Sequence, residues 1–554
     1  MEAVTPTSRR SAARTIPVIV VLALALVVRL QMISRAEAVA SDSATHLAMA
    51  RELGVAPTGE VLRAYDYHPG YATMVAAAAR AGGAETPEQW ISAGRAVSLA
   101  MGMVALVCLY AIARSAFGHT IAVLSLLMVS LSPQFSELSC DALSDAPALA
   151  FALAGVAVGI YASRRGAAGL WRALPAATAA GLSAGLAYLI RPEGLLAALL
   201  TAVLFTSAVR RKGRPRAVAI LSLTALLAAV LICLVPYSLA VGGLTQKKAV
   251  EDFVGPLAGG GSMLAALTAG PTVPAALWEV LDRGRAAMGN TVFALSVVCW
   301  VTWLVRFGFR VRLPEGIVYR PRSDTAIVMA LAVGVMIPLL TALEARRGYD
   351  GGYVSSRHML LPAMLLAPAA GAGLLTLTGW AVVLTRRLGG KARPGLAVLL
   401  CITAAGVAMA AEMDWTLHKG KAPFRAAGRA VRFALGDGAR GLTSQRRVAF
   451  YAGSPSVQFR RDTAGRFRIR RRDLASADSV LRRAEHAGGV SYMAVDRSLL
   501  ESSGHAEIVA ELREDPRFYQ LGVFGVGEAG EVHVFVLLPN PDKAGAVPPH
   551  AAIP

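Results

Sequence analysis

The chain has 554 residues, 55% of them hydrophobic and only 17% charged, where a soluble domain carries about 25% charge. A mean hydropathy of +0.51, with the apolar residues gathered in long blocks, excludes an ordinary soluble globule. The formal net charge of +20 invites a nucleic-acid reading, but its distribution along the chain argues against one.

Eleven apolar blocks are long enough to read as membrane spans, at about 16–34, 91–113, 119–133, 146–162, 173–190, 194–209, 217–240, 291–305, 325–342, 359–384 and 394–411. The first has a rival reading as a cleaved leader, since Arg9, Arg10 and Arg14 precede it and Ala38-Val39-Ala40 follows. Threading the spans from a cytoplasmic N-terminus places 21 Lys/Arg in short inside segments and 12 in outside loops about twice as long. That is the positive-inside bias, so most of the basic excess is a topology signal. Up to residue 411 the acidic residues divide the other way, 17 outside and three inside. Carboxylates contribute little to orientation, so their concentration on one face marks where chemistry is expected. Cys108, Cys233, Cys299 and Cys401 fall in spans and Cys140 in a loop, with no disulfide or metal spacing among them.

The first outside loop, 35–90, contains Asp42-Ser43-Ala44-Thr45-His46, where helical spacing puts Asp42, His46 and Met49 on one face. Asp42 reads either as a helix cap or as a general base or cation ligand. Tyr65 to Tyr71 follows, with a Pro69-Gly70 turn holding His68 extended as a phosphate or metal partner. In the loop 134–145, Glu137, Asp141 and Asp145 recur every four residues, a costly array on one helix unless a metal or an arginine answers it. Arg191-Pro192-Glu193-Gly194 makes a tight turn between two spans, and Arg191 and Glu193 read as either an ion pair or a site. The loop 242–290, with Lys247, Lys248 and Gly259 to Gly261, is expected to be a mobile lid. The loop 343–358 brings Arg346, Arg347, Arg357 and His358.

After residue 411 the chain turns polar. Strand-like runs at 447–452, 490–495, 519–526 and 531–538, and a helix-like stretch at 475–487, predict a small α/β domain over 412–541, with a hairpin near 527–530. Residues 542–554 read as a disordered tail. Seven arginines between Arg460 and Arg472 suggest a solvated or headgroup-facing surface, or an acidic-acceptor site.

Taken in order, several of these segments resemble the GT-C-type glycosyltransferases, in particular the family 39, protein-mannosyltransferase-like group that includes bacterial aminoarabinose transferases. They are the Asp42-led helix after the first span, the His68-Pro69 turn, Arg95 in RAVSLAMG, and Leu131-Ser132-Pro133 with Leu143-Ser144-Asp145. The others are the stretch from Gly181 to Gly194 (GLSAGLAYLIRPEG) and Ser356-Arg357-His358-Met359-Leu360-Leu361-Pro362. The likeness covers 16–411. It departs at Asp42-Ser43, where the family carries an acidic pair, and at His68-Pro69-Gly70, where it carries His-Pro-Pro.

The resemblance implies a polytopic α-helical membrane domain over 1–411 with a C-terminal α/β domain outside the cytoplasmic membrane. It implies inverting transfer of a sugar from a polyprenyl phosphate to a glycan, lipid or protein acceptor hydroxyl. Asp42, His68 and Asp145 would act in catalysis, with Arg191, Arg357 and Lys247 on the donor phosphate. His46, Asp141, Glu193 and His358 would support them. A divalent Mg or Mn held by Asp42 and Asp145 is the expected metal, with no organic cofactor and no nucleic acid. A transporter or lipid flippase, or a non-catalytic relative, are the competing readings. Transporters place ionisable groups at the bilayer midplane, whereas the candidates here lie in loops.

Overall fold

The computed structural model describes residues 7–165, 170–209, 214–246, 273–307, 334, 337–341, 344, 355–388, 393–527 and 530–538. Two compact units divide the chain. The first takes Met1–Gln31, Ser98–Cys140 and Ser144–Asp414; the second takes Met32–Val97, Asp141–Leu143 and Trp415–Pro554.

The first unit is helical. Its long elements include α1 (Thr7–Ser34) and the part of α5 (Pro87–Phe117) from Ser98 onward, while α2 (Ser41–Glu52), α3 (Thr58–Ala64) and α4 (Pro69–Ala81) belong to the second unit. There follow α6 (His119–Ser130), α7 (Pro133–Cys140), α8 (Asp145–Arg165), α9 (Leu170–Ile190), α10 (Leu195–Val209) and α11 (Arg214–Val241). The last are α12 (Val273–Met288), α13 (Asn290–Phe307), α14 (Leu360–Arg387) and α15 (Pro394–Glu412). Among the described residues seven helices are long and apolar enough to cross a membrane, or up to nine if two bent pairs each count once. Nine of the eleven expected spans fall on these helices or bent pairs, 194–209 falls on the shorter apolar α10, and most of 325–342 lies outside the described residues. Large apolar side chains such as Ile232, Leu239, Leu400 and Val407 are well exposed, as lipid contact requires. This is an integral membrane protein.

Small residues set the helix packing. Gly181 and Gly185, four apart on α9, face α11 so closely that a Cβ on Gly181 would lie 2.4 Å from the Leu226 carbonyl oxygen. The expected span at 119–133 is broken. α6 ends at Ser130, and α7 leaves at 64° after Pro133. The break leaves helix-end carbonyls without intrahelical partners, and the fully buried Arg29 of α1 answers one of them. Its Nη1 donates to the Ser130 and Ala25 carbonyls at 3.0 Å each, and its Nε to Ser139 Oγ at 2.8 Å. Cys140 thus ends a helix and is buried, where a loop position was expected.

The second unit holds α2 (Ser41–Glu52), α3 (Thr58–Ala64), α4 (Pro69–Ala81) and a mixed sheet in the order β1-β2-β4-β3. The strands are β1 (Gly441–Thr443), β2 (Tyr492–Asp496), β3 (Phe518–Phe524) and β4 (Val532–Leu537). β1 runs parallel to β2, and the other pairs are antiparallel. Strand alternation sends Met493, Val495 and Phe535 to one face with the helix Ala477–Ala487, and Tyr492, Ala494 and Val534 to the other with the helix Ala422–Leu435. The expected strands at 490–495, 519–526 and 531–538 match β2, β3 and β4. The run 447–452 is instead a helix, Arg446–Tyr451. Val448 to Tyr451 are all buried, and a short, wholly buried apolar run carries no period to distinguish the two.

The first loop joins this unit rather than the spans. Glu37 N–H donates to the Leu417 carbonyl at 3.1 Å, Arg446 Nη1 to Thr45 Oγ1 at 2.8 Å, and Arg460 Nε to Glu52 Oε1 at 2.8 Å. Of the expected lid, 247–272 lies outside the described residues and Val273–Met288 is α12.

Candidate functional site

In the first unit the candidate site is a narrow cleft of about 40 Å³. Asp145 opens α8, where a carboxylate is favoured by the helix's positive end. Arg191 and Glu193 come from the turn after α9, which closes tightly because Gly194 lies against the α9 backbone. A Cβ there would meet the Ala187 carbonyl carbon at 2.3 Å. Arg357 and His358 come from the single turn Ser356–Met359 that leads into α14.

These five side chains form one ion-pair network. Arg191 Nη1 donates to Asp145 Oδ1 at 2.5 Å, Arg357 Nη2 stands 3.3 Å from Asp145 Oδ2, and His358 Nε2 is 3.4 Å from Glu193 Oε1. Arg191 Nε reaches Glu193 Oε2 at 3.4 Å. The Asp145 side chain is only 1% exposed, so the two guanidiniums answer a charge that burial would otherwise penalise. Leu149 and Ala152 of α8, with Leu360 and Leu361 of α14, give the cleft an apolar wall beside its arginines.

In the second unit, His68 precedes α4 in an extended conformation (φ −66°, ψ 143°) and is buried. Pro69-Gly70 is not a turn but the first turn of α4, because proline suits the first helical position. Tyr67 Oη donates to Asp42 Oδ1 at 3.1 Å. His46, buried in α2, packs edge-on against the Tyr67 and Tyr71 rings at 4.4 and 5.2 Å and so seats Tyr67. Asp42 also lines a groove of about 950 Å³.

Asp141 has no exposed surface and is surrounded by donors. Its Oδ2 accepts from the Ala40 N–H at 2.8 Å and from Ser43 Oγ at 3.2 Å, and lies 2.8 Å from His418 Nε2. Its Oδ1 accepts from the Ala142 N–H at 2.8 Å, with Arg95 Nε at 3.9 Å. Burial pushes this carboxyl up, but the His418 hydrogen bond and charge, Arg95 and the Ala40 N–H outweigh it and leave it at about 2. Burial lowers the Arg447 guanidinium below its usual value, and the Asp141 and Asp42 charges partly restore it.

The expected array of Glu137, Asp141 and Asp145 on one helix face does not form. Glu137 is on α7, Asp141 in the connection and Asp145 at the start of α8. A Mg or Mn ion was expected at Asp42 and Asp145. Both Asp145 oxygens face arginines, and no three His, Cys, Asp or Glu groups gather as metal ligands among the described residues. Lys247, Lys248, Arg346 and Arg347 lie outside the described residues. Sequence reasoning missed His418, whose signal was its place just beyond the last span, and Arg29, a lone charge inside an apolar block.

Residues 74–237 match the family model for dolichyl-phosphate-mannose-protein mannosyltransferase. No curated protein matches the sequence. Among solved structures, the chain resembles ArnT from Cupriavidus metallidurans bound to undecaprenyl phosphate, with a TM-score of 0.58 and 13% identity over 95% of this chain and 98% of that one. It also resembles the archaeal oligosaccharyltransferase AglB from Archaeoglobus fulgidus in complex with an inhibitory peptide and dolichol-phosphate. That match has a TM-score of 0.54 and 13% identity over 91% and 72%. The Archaeoglobus fulgidus oligosaccharyltransferase in complex with Zn and sulfate gives 0.51 and 14% over 92% and 73%. The fold is that of the GT-C-type, mannosyltransferase-like membrane proteins, as the ordered loop motifs suggested.

Proposed function

We propose that this protein is an inverting glycosyltransferase of the cytoplasmic membrane, moving a sugar from a polyprenyl-phosphate donor to an acceptor hydroxyl. The observation that carries this reading is the cleft in which Arg191 and Arg357 are oriented by Asp145 beside an apolar wall. Guanidiniums match phosphate oxygens bidentately, and the wall suits the first isoprene units of a lipid. The neighbours bound to undecaprenyl phosphate and dolichol-phosphate support the same donor class. The N-terminus is assigned to the cytoplasm and the second unit to the far side, from the distribution of Lys and Arg.

In this scheme the Asp42 carboxylate accepts the proton of the acceptor hydroxyl as its oxygen bonds to the anomeric carbon. The bond from that carbon to the phosphate oxygen breaks, and the lipid phosphate leaves with the electron pair. Arg191 and Arg357 stabilise the growing phosphate charge, and Glu193 and His358 hold Arg191 in place. His68, buried at the start of α4, is assigned to catalysis with Asp42.

The test is the anomeric configuration of the product, read by NMR after the full chain in a bilayer is supplied with polyprenyl-phosphate sugar. Inversion at the anomeric carbon, with release of lipid phosphate, is expected. Retention, or no consumption of any such donor, overturns the proposal.

A further inference from the structure

The groove beside Asp42 has a composition that sugar transfer alone does not require. Its volume, about 950 Å³, stands at the upper end of ordinary small-molecule pockets, which leaves room for several sugar residues rather than one. Arg446, Arg461, Arg468, Arg470 and Arg471 line it, against two carboxylates, Asp42 and Asp496. Asp496 already accepts from Gln445 Nε2 at 2.7 Å, and Arg461 Nε stands 3.2 Å from Asp66 Oδ1. The groove therefore holds a surplus of guanidinium groups.

A second observation is independent of charge. Gln458 lines the same groove, is only 5% exposed, and has neither its amide nitrogen nor its amide oxygen hydrogen-bonded among the described residues. A buried amide with both ends unsatisfied is costly, and such a group wants a ligand offering a donor and an acceptor side by side. Adjacent sugar hydroxyls do that. Thr443, Ser444 and Ser498 add further hydroxyls to the walls. An acidic peptide would most simply add to a sheet edge, but the free side of β1 is closed where Thr443 pairs with Arg468 and the Ile469 N–H donates to the Thr443 carbonyl at 3.4 Å. A lipid surface would be met by exposed apolar groups, whereas Phe459 and Phe467 of the groove are buried.

We propose that this groove binds the acceptor, and that the acceptor is an anionic glycan chain bearing carboxylate or phosphate groups. The inference rests on the transferase reading for the word acceptor, and on the groove alone for the ligand. It is tested with the full chain in phosphatidylcholine nanodiscs, titrated with fluorescent polygalacturonate oligomers at low and moderate salt. Binding is expected to weaken with salt and to fall about tenfold or more in Arg468→Gln/Arg471→Gln. Gln458→Leu is expected to weaken it several-fold at both salt levels with an unchanged salt slope. Gln458→Met is the second variant should Leu perturb the fold. Methyl-esterified polygalacturonate and poly-glutamate of matched length are expected to bind at least about tenfold more weakly.

Poly-glutamate binding as tightly as polygalacturonate, with Gln458 variants unaffected, overturns the glycan assignment in favour of an acidic peptide. Displacement of polygalacturonate by phosphatidylglycerol vesicles overturns it in favour of lipid headgroups. Glycan binding with these signatures but no sugar transfer supports the groove and removes the transferase reading. Transfer to a neutral acceptor without polygalacturonate binding does the reverse.

Discussion

Two regions of the molecule gather arginines and carboxylates, and they treat them oppositely. In the cleft of the first unit the charges are answered from within: Asp145 by Arg191 and Arg357, Glu193 by Arg191 and His358. In the groove of the second unit five arginines face two carboxylates, and a buried glutamine amide is left unsatisfied. A closed network fixes geometry before a ligand arrives, which suits a site for one invariant group such as a phosphate. An unbalanced groove is completed by its ligand and suits a longer, anionic one. Asp141 and Asp145 repeat the lesson within one stretch of chain. Both are buried, but one is stabilised mainly by N–H and hydroxyl groups with His418, the other by guanidiniums.

The contrast can be broken most forcefully at Arg191. Replacing it with Ala leaves the buried Asp145 to the longer Arg357 contact, so Arg191→Ala should cost about 3 kcal/mol of stability, seen as a lowered melting temperature of the purified protein. Arg191→Ala/Asp145→Asn should recover most of that loss while donor binding stays impaired. Equal melting of single and double variants would show that Arg191 does not compensate Asp145.

A smaller effect is expected at Asp141. Its carboxyl is held at about 2, below its ordinary value, so its contribution is present above about pH 4 and is lost as pH falls through about 2. The contribution is roughly 2 kcal/mol. Acid unfolding of the wild type should therefore steepen between pH 4 and 2, and Asp141→Asn should flatten that limb. Superimposable pH profiles would contradict the assignment.

The smallest change is Arg357→Lys. It keeps the charge and loses the fork, so affinity for the donor should fall by about tenfold with little change in melting temperature. Unchanged donor affinity would place the phosphate elsewhere.

Much of this arrangement was legible in the sequence. The apolar blocks predicted the spans because a bilayer imposes length and apolarity on contiguous residues. The turn from Arg191 to Gly194 stood out because it placed charges between spans with no room for a solvated loop, and Ser356-Arg357-His358 because it led a loop's charges into the next span. Other features depended on tertiary choices. The end of α7 at Cys140 turned the four-residue spacing of Glu137, Asp141 and Asp145 from a helix face into three separate environments. His418 and Gln458 acquire meaning only from what surrounds them, Asp141 for one and the groove for the other. The grouping of the first loop with the tail was equally invisible, because its hydrogen bonds join residues about 400 positions apart.

The central claim is sugar transfer with Asp42 as the base, and the rate of transfer by Asp42→Asn tests it most directly. With the full chain in a bilayer and a polyprenyl-phosphate sugar as donor, lipid phosphate release should fall by about 10²–10⁴-fold with an unchanged melting temperature. Wild-type transfer rates from that variant would contradict the account.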